Sequence, residues 1–198
     1  MPIILASQSA ARRAMLVAAG VSFVAVASQA DEAAEKQKLL ANHVQPPEIA
    51  LALAKLKARD VAVGREDHLI LGSDQILSLK DGTMLDKPNS PHELKRHLRL
   101  LSGSTHQLHS AAAIIERDEC VWEIIETVSM VMRPLSDAFI DQYVASAAPD
   151  LLGCVGGYQI EGVGVQLFQR IEGSYHAVLG LPLLPLLNYL AHRGVLLQ

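Results

Sequence analysis

Two serines and two arginines near the start of the chain have the composition of an anion-binding site. Ser7 and Ser9 end an apolar segment, and Arg12 and Arg13 follow within one helical turn. The first N–H groups of a helix have no partner and its dipole is positive there, so a phosphate or carboxylate binds readily. Because the same dipole disfavours cations, the two arginines favour an anionic ligand. An ordinary solvated helix face is the alternative.

A carboxylate farther along the chain could act as an acid or base, or bind a metal ion. Asp74 lies in the sequence Gly-Ser-Asp-Gln, which follows the largely apolar residues 68–71, and this context predicts a position at the end of a strand. The same sequence is good turn chemistry, so an aspartate that only stabilises a turn is the alternative. Lys55 and Lys87, taken singly, have the character of solvated lysines.

Two further polar residues lie in contexts that allow chemistry. Glu161 lies in the glycine-rich residues 156–164, where the backbone could approach a ligand closely. His106 could donate to phosphate or transfer a proton, although a histidine at the start of a strand is more often structural. Neither pattern is specific by itself.

The elements that must position these residues alternate between strand and helix and then become antiparallel. Turn sequences at residues 80–82 and 117–119 predict two hairpins. Ser9 and Gly20 have the residue types that begin and end a helix. The pattern predicts a mixed α/β fold with a sheet flanked by helices. The predicted strands are residues 2–6, 22–27, 68–71, 105–116 and 120–132, and the predicted helices are residues 10–19, 90–101, 182–193 and two that begin near residues 46 and 136.

Length and composition limit the class of protein. The 198 residues are 50% hydrophobic, which predicts one folded domain over residues 1–198 and excludes global disorder. With 17 Lys and Arg against 21 Asp and Glu, the net charge of −4 provides no cationic field for a nucleic-acid polymer.

Cysteine usage and apolar runs predict the compartment. Cys120 and Cys154 have neither a disulfide-scaffold nor a zinc-ligand spacing. The start lacks the basic segment of a secretory signal, and no apolar run approaches the roughly 20 residues of a membrane span. The sequence therefore predicts a cytoplasmic protein without a membrane partner.

Taken in order, the motifs resemble the Maf family of nucleoside triphosphate pyrophosphatases. The resemblance implies a Maf/inosine-triphosphatase-like α/β fold with two lobes and a central cleft. It implies hydrolysis of a nucleoside triphosphate to monophosphate and pyrophosphate with Mg²⁺ or Mn²⁺. The motifs that carry it are residues 5–13, 31–32, 72–75, 87–88, 101–106, 156–162 and 178–183.

The resemblance also implies roles for individual residues. Asp74 takes the position of the catalytic acid or base, and Glu32 is the candidate metal ligand. The residues that the resemblance places around the substrate are Ser7, Ser9, Arg12, Arg13, Lys55 and Lys87.

Three positions resemble the subgroup that acts on 7-methyl-GTP: Gln75, Glu161 and Cys154. A glutamate can accept from both donors of the guanine Watson–Crick edge and attracts the cationic methylated ring, and Gln75 could offer a donor and an acceptor. Ala11 departs from the pattern because the subgroup has a tyrosine there, which could stack on the base.

Three alternatives stay open at this point. They are a dTTP/UTP pyrophosphatase of the same family, a nucleotide-binding regulator of cell division without turnover, and a dinucleotide-binding module. The last lacks a GxGxxG motif after the first strand. The sequence leaves open whether the chain forms a homodimer.

Overall fold

The computed structural model describes residues 1–196, except for the side chains of residues 147–150. The strands are β1 (Ile3–Leu5), β2 (Phe23–Ala25), β3 (Leu69–Leu79), β4 (Met84–Leu85), β5 (Thr105–Glu116), β6 (Glu119–Met132) and β7 (Phe168–Glu172). The helices are α1 (Ala10–Ala18), α2 (Glu32–Ala41), α3 (Pro46–Ala62), α4 (Pro91–Leu101), α5 (Asp137–Leu151), α6 (Tyr175–Val178) and α7 (Leu183–His192). Short 3₁₀ segments span Val155–Gly157 and Val163–Leu167. Within the described residues, no helix is long and apolar enough to cross a membrane.

The described strands form one mixed sheet in the order β2-β1-β3-β5-β6-β7, with β4 paired to β3. β1 lies between β2 and β3 and is parallel to both, with Ile4 opposite Val24 and Ile70. The β3–β4 and β6–β7 pairs are antiparallel. The predicted mixed α/β fold with a helix-flanked sheet is confirmed.

The chain divides into two compact units. Unit 1 comprises Met1–Gln75, His109–Glu126 and Ser174–Gln198, and unit 2 comprises Ile76–Leu108 and Thr127–Gly173. In unit 1, alternation along β1 sends Ile3 and Leu5 into one apolar cluster with Leu16 of α1. Ile4 and Ala6 enter a second cluster with residues of α3. β1 is therefore covered by helices on both faces, which is why its sequence is continuously apolar.

Local sequence signals place most of the predicted elements correctly. The Ser9 hydroxyl caps α1 by accepting from the backbone N–H of Arg12. The two predicted hairpin turns form, and Gly82 in the first of them has a φ of 86°. In the second, Arg117 and Asp118 both take positive φ, which is the backbone of a tight hairpin turn. Helices α2 and α6 were not predicted from the sequence.

The prediction that Asp74 ends a strand is wrong, because it lies in the interior of β3. Gly72 and Ser73 are residue types that favour turns, but in this strand they allow close packing. A Cβ at Gly72 would overlap the Ala54 carbonyl oxygen of α3, so glycine lets the strand approach the helix closely. Ser73 is fully buried, and its hydroxyl lies 2.8 Å from the Ala111 carbonyl oxygen.

Because β3 and α3 approach so closely at Gly72, adding a single methyl group there should destabilise the folded protein. Gly72→Ala should lower the free energy of unfolding by about 1–3 kcal/mol, because the backbone of α3 must move to accommodate the methyl group. Gly162→Ala is the matched control, since a Cβ there meets no atom within 4 Å. Urea unfolding of both variants measures the difference. Equal stabilities would contradict the close strand–helix contact.

Candidate active site

Two carboxylates of unit 1 meet at the ammonium group of Lys57. Its Nζ lies 2.6 Å from Oδ1 of Asp74 and 2.8 Å from Oε2 of Glu32. Lys57 and Asp74 are largely buried, whereas the Glu32 side chain is 45% exposed. One ammonium therefore bridges two carboxylates, and the Glu32 end of the cluster is open to solvent.

Helix periodicity explains how Lys57 reaches this position. The buried stripe of α3 recurs every four residues through Leu53, Lys57 and Val61. Lys57 thus occupies a core-facing position of the helix, where a charged side chain requires a partner. Asp74 supplies that partner from β3, and Glu32 supplies a second from the first turn of α2.

Arg12 is a buried cation at the start of α1. Its Nε donates to the Gly180 carbonyl at 2.7 Å, and Nη1 donates to the Ser7 hydroxyl at 3.3 Å. Burial lowers the pKa of the Arg12 guanidinium, while the negative charges of Asp74 and Glu32 act in the opposite direction. The cluster thus combines two buried cations with two carboxylates, a charge arrangement that could hold a polyanion beside a general base.

The carboxylates have the donor chemistry of a magnesium site. Mg²⁺ is commonly bound by one or two carboxylates together with substrate phosphates and waters. Glu32 and Asp74 supply two carboxylates, and both of them contact the Lys57 ammonium. No group of three or more His, Cys, Asp or Glu side chains is arranged for a metal ion among the residues that the structure describes. The donor set therefore fits a metal that arrives with a phosphorylated substrate.

Comparison with known proteins identifies the family. A sequence profile described as Maf-like protein matches residues 2–193. The chain belongs to the Maf family. It is 49% identical over 195 residues to a 7-methyl-GTP pyrophosphatase of Rhizobium meliloti, covering 98% of this chain and 97% of that protein. It is 46% identical over 195 residues, with the same coverage, to a nucleoside triphosphate pyrophosphatase of Caulobacter vibrioides. A 7-methyl-GTP pyrophosphatase of Mesorhizobium japonicum is 44% identical over 194 residues, again with this coverage.

The lysine that contacts Asp74 and Glu32 is Lys57, which was not predicted from the sequence. Lys55, which was predicted to bind the substrate, is not part of this cluster. Residues two apart on a helix are separated by about 200°, so the two lysines face different sides of α3. Lys55 pairs with Glu123 of β6 instead. The sequence did carry a signal for Lys57: it lies four residues from Leu53 and from Val61, and this spacing places it in the buried stripe of α3.

The other N-terminal candidates lie around Arg12. Ser7 is buried, and its hydroxyl accepts from the Ser9 backbone N–H and from Arg12. Arg13 is exposed, and its side chain has no ion pair within the described part of the chain. Ala11 is half-buried. The structure thus brings Ser7, Ser9 and Arg12 together and leaves the Arg13 guanidinium available to a ligand.

Gln75 is less available than the sequence suggested. Its side-chain nitrogen lies within 3.0 Å of three oxygen atoms, those of the Ser110 hydroxyl and the Ala177 and Val178 carbonyls. An amide NH₂ has only two hydrogens, so its donors are used inside the protein.

Lys87 and Glu161 belong to unit 2, and both are exposed. The glycine-rich segment before Glu161 approaches protein atoms rather than open space. A Cβ at Gly157 would overlap the Leu94 side chain of α4. Cys154 precedes this segment, and its sulfur accepts a hydrogen bond from Gln159. Local packing therefore explains these glycines, while the glutamate carboxylate stays open to solvent.

His106 lies in the core of unit 2. Its Nε2 atom is 2.7 Å from the Tyr158 hydroxyl oxygen, and its ring contacts the rings of Tyr158 and Phe168. Burial lowers the pKa of His106 to about 4. This environment agrees with the structural role that the sequence analysis preferred for a histidine at the start of a strand.

The depressed pKa of His106 predicts acid destabilisation. Between pH 6.5 and pH 4, His106 binds a proton in the unfolded chain but not in the folded chain. The free energy of unfolding is therefore highest above pH 6.5, with respect to this group, and falls as the pH is lowered. The loss from this group should be about 2 kcal/mol between pH 7.5 and pH 5.0. Urea unfolding should show a shallower pH dependence in His106→Phe than in wild type. The exposed control His92→Gln should retain the wild-type slope; equal slopes for all three proteins would contradict this prediction.

Proposed function

We propose that this Maf-family protein hydrolyses 7-methyl-GTP to 7-methyl-GMP and pyrophosphate. By its family and relatives, the protein is a nucleoside triphosphate pyrophosphatase, which is a hydrolase. The choice of 7-methyl-GTP as substrate is supported by relatives that are named for this nucleotide, and by Glu161. The observation that carries the chemistry is that the Lys57 ammonium contacts both Asp74 and Glu32.

In the proposed reaction, water attacks the α-phosphorus and Asp74 accepts the proton of that water. The bond from the α-phosphorus to the bridging oxygen breaks, and pyrophosphate leaves with the electron pair. Lys57 and Arg12 supply positive charge in a buried setting, where preorganised charge stabilises a transition state most effectively. The Ser9 end of α1 offers backbone N–H groups to a phosphate.

A divalent metal ion, Mg²⁺ or Mn²⁺, is part of the proposal. Glu32 and Asp74 would hold it together with oxygens of the substrate, and it would supply further neutralisation of the triphosphate. Lys57, which contacts both carboxylates, would add its positive charge to that of the metal ion. Glu32 is the more exposed of the two carboxylates and so the more accessible ligand.

Base recognition is assigned to Glu161. The N7-methylated guanine ring is cationic and presents N1–H and NH₂ donors, and an exposed carboxylate can accept from both. Ala11 lacks the aromatic ring that could stack on a base, which by analogy is worth about 1–3 kcal/mol. We therefore propose a preference for 7-methyl-GTP that is smaller than in relatives with tyrosine at this position.

The specificity prediction is tested by kcat/KM for 7-methyl-GTP, GTP and dTTP with Mg²⁺ or Mn²⁺. Glu161→Gln should reduce the preference for 7-methyl-GTP over dTTP by about tenfold, because it removes the ionic contact with the cationic ring. Ala11→Tyr should raise the preference by a similar factor. A wild-type preference for dTTP or UTP would contradict the substrate, and failure to release pyrophosphate from any triphosphate would favour a binding protein without turnover.

A further inference from the structure

Helix α2 carries Glu32 in its first turn, but it is weakly anchored in the core. Every residue of α2 is exposed or only partly buried, so apolar packing determines its position poorly. Its charged contact with α3 joins Glu32 Oε2 to Lys57 Nζ at 2.8 Å. The position of Glu32 therefore depends on polar contacts and on the segment that leads into α2.

That segment, residues 26–31, joins β2 to α2 and is bonded to Asp60 of α3. The Ser28 hydroxyl donates to Oδ2 of Asp60 at 2.9 Å, and the Gln29 backbone N–H donates to the same oxygen at 2.7 Å. The Ser28 hydroxyl also accepts from the Ala30 backbone N–H at 3.1 Å. Since hydrogen bonds to a carboxylate are stronger than those between neutral groups, Asp60 holds this segment on α3.

Asp60 and Lys57 contact the chain at two nearby points. They are three residues apart on α3, so their side chains leave from the same side of the helix. Asp60 binds Gln29, and Lys57 binds Glu32 three residues later. One turn of α3 therefore sets both the path of the chain into α2 and the place where the Glu32 carboxylate arrives.

We propose that Asp60 is a positioning residue, which holds residues 26–31 on α3 and thereby places the Glu32 carboxylate beside Lys57 for hydrolysis. This inference rests on the proposed function. Asp60 acts as a hydrogen-bond acceptor, because both donors meet a single oxygen atom. The carbonyl oxygen of an asparagine in the same place can accept both hydrogen bonds, whereas a role that needs the negative charge is lost in asparagine.

The first test is pyrophosphate release by Asp60→Ala and Asp60→Asn at varied Mn²⁺ concentration. Asp60→Ala should lower kcat about tenfold and raise the Mn²⁺ concentration for half-maximal rate by a similar factor. Removing a group that holds a metal ligand in place usually costs about 10–100-fold in affinity or activity. Asp60→Asn should keep both quantities within about threefold of wild type. The matched control is Asp67→Ala at an exposed aspartate, which should leave both unchanged.

The second test is amide hydrogen exchange of the protein without metal or nucleotide. The Ala34 N–H donates to the Asp31 side chain at the start of α2, three residues beyond the segment that Asp60 holds. Asp60→Ala should raise the exchange rate of Ala34 about tenfold, because the start of α2 opens more often when the segment before it loses its hydrogen bonds. Asp60→Asn and Asp67→Ala should exchange at the wild-type rate.

Ser28→Ala keeps the proposal testable if Asp60→Ala fails to fold, because it removes only one of the two donors. It should lower kcat about threefold, the effect of one hydrogen bond of ordinary strength. Wild-type kcat and wild-type Ala34 exchange in Asp60→Ala would overturn the positioning role, as would equal losses in the alanine and asparagine variants. Absence of pyrophosphate release by the wild-type protein would contradict the proposed function, and the exchange rates, which need no substrate, would still decide whether Asp60 positions the start of α2.

Discussion

Asp74→Asn is expected to lower the rate of pyrophosphate release by about 10²–10⁴, the usual contribution of a positioned general base. The amide keeps the shape of the carboxylate but cannot accept the proton of the attacking water. Folding should be retained, because Lys57 keeps its contact with Glu32. Pyrophosphate release at saturating triphosphate and metal, together with the unfolding midpoint, measures both quantities.

The control for Asp74→Asn is the same substitution at Asp67, which is exposed and lies in the turn before β3. Asp67→Asn should retain wild-type turnover. Undiminished turnover of Asp74→Asn would remove Asp74 from the reaction. Equal losses in both variants would show that charge alone, and not the position of the carboxylate, affects the rate.

The second large effect is expected for Lys57→Met, compared with Lys55→Met. Methionine has a similar length and removes the charge, so Lys57→Met leaves Asp74 and Glu32 without their shared cation. Turnover should fall by about 10²–10³, the cost of removing one preorganised charge or donor from a buried site. Lys55→Met should change turnover by less than about threefold, because Lys55 contacts neither Asp74 nor Glu32 and its ion pair with Glu123 is only partly buried.

Comparing these two variants tests whether the lysine that acts in the reaction is Lys55 or Lys57, which lie two residues apart. The motif resemblance led to Lys55, whereas the structure places Lys57 against Asp74. A larger loss in Lys55→Met than in Lys57→Met would restore the assignment from the sequence. The unfolding midpoint of each variant distinguishes lost catalysis from lost structure, since Lys57 is buried and Lys55 is not.

The sequence alone determined most of the elements and indicated the family. Caps, turns and alternation are signals carried by a few neighbouring residues, and they do not need the rest of the fold. Ser9 at the start of α1 and the Asp-Gly turn after β3 are examples that the structure confirms. The ordered motifs were specific enough to indicate the Maf family, which the comparison with known proteins confirms.

Only the tertiary structure decided which side chains meet. Lys57 joins residues from three elements, and no local pattern states that α2, α3 and β3 converge at one point. Gly72 and Ser73 read locally as a turn, but the close contact with α3 and the buried carbonyls around Ser73 keep them in a strand. The sequence suggests a free side-chain amide at Gln75, whereas in the structure carbonyl oxygens of the 177–180 turn lie beside it. Pairings across the fold depend on which surfaces pack together, and that is a property of the whole chain.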